Sequence, residues 1–141
     1  MNHSLKTGFI GGCLGAIVLV IIFYLQFAAG KAQPSFVSNY QTTFGAHAGD
    51  QIIALILFII SGGIWGIIFG WIVKRPTILK GIFFGILPSL WLWTAVNGAM
   101  GKPLFNGFAL MGIINPIICN MLIWGSILGC YTSRKLKRIS A

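Results

Sequence analysis

Four long apolar runs, at about 8–29, 51–73, 78–97 and 108–131, alternate with short polar stretches along the chain. Each is long enough to cross a hydrocarbon layer of about 30 Å, which takes roughly 20 helical residues. No water reaches a backbone at that depth, so each run must pair its own N–H and C=O groups and is predicted to be an α-helix. The short alternating segments of a membrane β-barrel do not occur in the sequence. The pattern predicts an all-α integral membrane fold, a single domain of four transmembrane helices over residues 1–141. The first run has Lys6 ahead of it and Ala28, Ala29 and Gly30 behind it, the outline of a secretory signal peptide. Its apolar stretch is longer than a signal core, and it is read as a retained span.

The longest polar stretch lies between the first two runs. In it Phe36, Tyr40 and Phe44 recur at every fourth residue, with Pro34 placed to open a helix and Gly45 to stop it. A short amphipathic helix over 34–45 is expected, lying in the interface plane with its aromatic stripe as a candidate partner-binding surface. His47 and Asp50 follow. Asp50 is the only acid in the chain, and it sits where a carboxylate would cap the second span. The other reading of this pair is a ligand offered by His47. The second histidine, His3, falls at the far end of the first span, so an intrachain bis-histidine site is not expected and no metal or cofactor is predicted.

The phrase Ile-Trp-Gly-x-x-x-Gly is written twice, from Ile64 and from Ile123, and closes the second and fourth runs. A weaker echo, Lys6 to Gly12 and Lys80 to Gly85, opens the first and third. Two same-orientation helical hairpins, from an internal duplication, are the expected reading. Four-residue spacing lines small residues along one helix face and lets backbones approach closely, which matters where lipid offers no hydrophobic drive for association. The packing candidates are Gly8, Gly12, Gly15, Gly62, Gly66, Gly70, Gly81, Gly85, Gly125 and Gly129. They crowd into one half of the bundle, while Phe23, Tyr24, Phe58, Trp91 and Trp93 stand in the other. A bundle pinched at one end and splayed into a cleft at the other is expected. Trp65, Trp71 and Trp124 are read as packing or interface anchors.

Composition agrees with the pattern: 57% of residues are hydrophobic and 8% charged, with a mean hydropathy of +0.90. The net charge of +9 changes the picture only through its placement. Lys6, Lys74, Arg75, Lys80, Arg134, Lys135, Lys137 and Arg138 fall on one side of a four-pass chain, and Lys31 and Lys102 on the other. By the positive-inside rule both termini are cytoplasmic, with a basic tail over 132–141. The excess is an orientation signal facing anionic lipids, and no basic patch of the kind that binds nucleic acid is present. A bacterial inner membrane, or a comparable energy-transducing one, is the expected location. Cys13, Cys119 and Cys130 lie inside the spans and are read as small core residues.

No ionisable residue falls at membrane depth, the usual pointer to an ion or proton pathway. The polar centre is Asn115-Pro116-Ile-Ile-Cys-Asn120. Pro116 removes a donor and frees the carbonyl of Gly112, as Pro88 does for Phe84. One reading is a solute site built from Asn115, Asn120 and the freed carbonyl, resembling the broken-helix sites of transporters. The other is two amides that bond across to neighbouring helices. The expected function is a non-enzymatic accessory, assembly or stabilising subunit of a larger membrane complex, with other subunits or further copies of itself as partners. A small transporter or channel for a neutral solute, or a lipid- or hydrophobe-binding protein, is the alternative.

Overall fold

The computed structural model describes residues 3–140. Its helices in chain order are α1 (His3–Ala28), α2 (Ser35–Phe44), α3 (Asp50–Ile72), α4 (Ile78–Ala99) and α5 (Leu110–Lys137). Four of them, all but α2, are long and apolar enough to cross a membrane. α5 carries its helix on to Ser140, so most of the basic stretch predicted as a tail is a continuation of the last span. Ala141 lies outside the described residues, as does the side chain of Arg138.

Backbone contact holds the glycine-rich half together. A Cβ placed on Gly8 would fall on the carbonyl of Gly66, and one on Gly12 would fall on that of Gly62. Across the other pair of spans, a Cβ on Gly81 would meet the carbonyl of Gly125, and one on Gly85 that of Asn120. α1 therefore seats on α3, and α4 on α5, backbone to backbone at these glycines, with Phe9, Cys13 and Ala16 flanking the first seam. Ser4 Oγ, near the start of α1, donates to the Gly70 carbonyl at 2.6 Å and fastens the end of that seam.

α1 and α5 make the main contact between these two pairs. Gly11 admits Leu128 and Thr132, and Gly15 admits the ring of Trp124. Phe84 of α4 instead stands against Phe69 of α3, ring centres 5.1 Å apart. A compact core forms from Ala16, Leu19, Phe69, Phe84, Trp124 and Leu128.

The opposite half is not left as a cleft. α2 turns Phe36 and Val37 inward against Ala54, Phe23, Tyr24 and Phe58, and the Phe36 ring stacks on Phe58 at 4.9 Å. Phe23 of α1 and Phe58 of α3 stand 6.3 Å apart there, and Phe36 of α2 packs on both rings. The expected stripe is corrected accordingly. Phe36 is buried, Tyr40 half-buried, and of the three only Phe44 is exposed.

Both prolines in the spans leave their mark. Pro116 is followed by a π-helical stretch, Ile117–Gly125, and a second, Leu92–Val96, follows Pro88 in α4. Wide π turns commonly mark functional positions, and here they occur where a proline has removed a ladder donor.

Candidate functional site

Two polar side chains at membrane depth, Ser89 and Asn120, meet where α4 packs on α5. Ser89 is fully buried, and its Oγ lies 3.3 Å from the Gly85 carbonyl and 3.2 Å from the Pro116 carbonyl, so one proton is shared between two acceptors. Asn120 Nδ2 donates to the same Oγ at 3.1 Å. A further crossing comes from Trp124, whose Nε1 donates to the Gly12 carbonyl of α1 at 2.9 Å. Asn120, Pro88, Trp65, Trp124, Ala16 and Gly62 line a cavity of about 40 Å³ at the centre of the four spans. That is room for a water-sized molecule and little more.

The residues proposed from sequence as a solute site are not brought together. The carbonyl of Gly112, freed by Pro116, accepts Trp93 Nε1 at 3.1 Å and Asn106 Nδ2 at 2.9 Å. Asn120 turns to Ser89 in the bundle. Asn115 is exposed on the outer surface of α5 and forms no side-chain hydrogen bond among the described residues. It stands in a stripe with Met111, Ile118 and Leu122, all exposed.

A second polar cluster sits in the connection between α4 and α5, and the sequence reading missed it. Asn97, buried at the end of α4, donates to Asn106 Oδ1 at 2.8 Å, and Asn106 in turn reaches Gly112. Phe105, Asn106, Gly107 and Phe108 all take left-handed backbone, with φ of 52°, 53°, 63° and 60°. Trp93 backs this turn, 5.6 Å from the Phe105 ring. The Asn106-Gly107 dipeptide was the available signal, since both residue types tolerate positive φ.

Asp50 does not cap α3. The cap position falls on Gly49 in left-handed conformation, and Asp50 is the first helical residue. Its Oδ2 instead accepts the backbone N–H of His47 at 2.6 Å and Gln41 Nε2 at 3.3 Å, tying α2 to the start of α3. The carboxylate is thus buried with its partners supplied by the preceding turn, because His47 folds back over it. The His47 ring itself is exposed.

At the other end of α3 an open cavity of about 470 Å³ is lined by Ile72, Val73, Lys74, Arg75 and Lys80. Among the described residues no three His, Cys, Asp or Glu side chains cluster as metal ligands would. The described residues offer hydrogen-bonded helix crossings, an unpartnered amide at Asn115 on an apolar face, with Gln26 and Gln51 also exposed and unbonded nearer the span ends, and a cationic concavity. No protein-family model, curated protein or solved structure matches the chain.

Proposed function

We propose that the chain is a non-enzymatic multi-pass membrane protein that serves as an accessory or assembly subunit, docking α5 against a transmembrane helix of another protein. The observation that carries this reading is Asn115. Its amide stands on an apolar, lipid-facing stripe without a hydrogen-bond partner among the described residues, whereas Asn120, Asn97 and Asn106 are all engaged within the fold. An amide in hydrocarbon gains by pairing with a polar group on a facing helix, on average by about 0.6 kcal/mol and up to about 1.7.

A photo-crosslinking side chain at Leu122, in cells expressing the tagged chain, should capture a discrete membrane partner. Asn115→Leu should reduce that adduct severalfold while leaving the melting temperature in detergent unchanged. An adduct that survives Asn115→Leu undiminished, or a chain that crosslinks only to lipid, would remove the reading. The transporter alternative is tested in the same material. Liposome flux of water and glycerol should stay at the empty-vesicle level for the unmodified chain and for Asn120→Leu.

We read the architecture as two same-orientation hairpins from a duplication. Gly8 and Gly81, 73 residues apart, meet Gly66 and Gly125, which are 59 apart and occupy the same place in the repeated phrase. The same offsets relate Ser4 with Gly70 to Thr77 with Gly129, which are also in contact. They relate Gly11 with Leu128 to Phe84 with Phe69. The duplicated pairs thus keep their internal seams and differ where they meet each other. With the cations of Lys6, Lys74, Arg75, Lys80 and α5 on the cytoplasmic side, α2 lies at the outer interface. In a chain with its three native cysteines replaced by alanine, Thr43→Cys should react with a membrane-impermeant thiol reagent in intact cells. Ser140→Cys should react only after lysis. The reverse pattern would overturn the orientation.

A further inference from the structure

We infer that the connection between α3 and α4 is a binding site for the phosphate headgroup of an anionic phospholipid. Three cations, Lys74, Arg75 and Lys80, line one cavity of about 470 Å³. Lys80 Nζ donates to the Arg75 carbonyl at 2.9 Å, which draws the first turn of α4 back over the connection and brings its ammonium to the same rim. The Thr77 hydroxyl accepts the Lys80 backbone N–H at 3.2 Å and fixes the start of that turn.

Among the described residues these charges have no acidic side chain within reach. The only acid, Asp50, opens α3, and a helix of that length puts it roughly 33 Å away along the axis. The concavity is therefore left with uncompensated positive charge, and a guanidinium fork with two ammonium groups is a donor set that suits a phosphodiester.

The walls choose between a lipid and a free anion. Ile72 and Val73 form the rest of the lining, and Trp71, Ile78 and Leu79 beside it are exposed, Trp71 to 75%. A ligand seated here has its charged end among the cations and an apolar body alongside the ends of two spans, the two-part chemistry of a phospholipid. The cations of α5, Arg134, Lys135 and Lys137, are exposed and line no part of the cavity. They provide a control of equal charge. The inference stands apart from the partner-subunit reading and uses none of its residues.

The full chain, purified in mild detergent, is mixed with phosphatidylglycerol or phosphatidylcholine and examined by native mass spectrometry, with a parallel arm containing inorganic phosphate alone. One phosphatidylglycerol should be retained per chain, in preference to phosphatidylcholine by roughly tenfold or more, since each basic residue near an anionic headgroup contributes about fivefold. The triple change Lys74→Gln, Arg75→Gln, Lys80→Gln should erase that preference. Lys74→Gln alone should lower it about fivefold, which keeps the test open if the triple variant folds poorly. The triple change Arg134→Gln, Lys135→Gln, Lys137→Gln should leave it in place. Equal loss in the two triple variants would reduce the effect to net charge and overturn the site. Displacement of the lipid by millimolar inorganic phosphate would overturn the lipid assignment in favour of a free-anion site, and absence of any preference in the unmodified chain would overturn both.

Discussion

Gly12→Ala and Gly66→Ala should each destabilise the protein by about 3 kcal/mol, the upper part of the range for overpacked sites. A side chain that meets another side chain can be relieved by a rotamer change. Here the added methyl meets peptide backbone, the Gly62 carbonyl for Gly12 and the Gly8 carbonyl for Gly66, with a facing Cα at 3.1 Å in each case. The only relief is to move one whole helix from the other, and that loosens every contact along the seam. Gly98 provides the contrast. A Cβ there meets nothing within 4 Å, and Gly98→Ala should be neutral or gain about 0.5 kcal/mol from the lost backbone freedom of glycine. Unfolding in detergent micelles titrated with sodium dodecyl sulfate reads all three. Equal tolerance would mean that α1 and α3 do not meet through their backbones.

Trp124→Ala should cost roughly 2 kcal/mol and loosen α1 from α5 in particular. A buried tryptophan truncated in a water-soluble core costs about 3–5 kcal/mol, but part of that is transfer from water, which has no counterpart when the competing environment is lipid. What remains is the packing lost against Gly15, where the ring would clash with any Cβ, and the hydrogen bond to the Gly12 carbonyl. Trp71 carries the same side chain at 75% exposure, so Trp71→Ala should change stability by no more than a few tenths of a kcal/mol. A disulfide or crosslink between α1 and α5 should restore the stability lost in Trp124→Ala. Failure of that rescue would place the effect of Trp124 somewhere other than the α1 and α5 crossing.

The spans were legible because membrane depth allows few backbone solutions, and length with hydropathy selects among them. The glycine faces were legible for a related reason: where helices touch by backbone, the sequence must supply small residues at a helical spacing. What the sequence hid was direction. The Phe36, Tyr40, Phe44 stripe reads identically whether it faces outward or inward, and only the apolar side chains of α1 and α3 beneath it decide that Phe36 turns in. The same holds for Asn115 and Asn120, five residues apart in the chain. In a regular helix that spacing sets them about 140° apart around the axis, which separates their faces but does not say which one meets the bundle. The capping role expected of Asp50 failed by one position, because Gly49 takes the cap and leaves the carboxylate free to bind the turn before it.

The reversed turn between α4 and α5 stores energy. Left-handed backbone costs a residue with a Cβ about 1–2 kcal/mol, and Phe105, Asn106 and Phe108 all adopt it in succession. That amounts to a few kcal/mol held in a segment of five residues, offset by the bonds of Asn97, Asn106 and the Gly112 carbonyl. Asn106 Nδ2 and Trp93 Nε1 share the Gly112 carbonyl, and the Asn97 bond leans on the same Asn106 side chain, so movement of Asn106 breaks two of the three. Local opening of the protein consequently has a preferred starting point. Amide protons of this turn should exchange with solvent ahead of the spans on either side, and a protease reaching that face would cut there first.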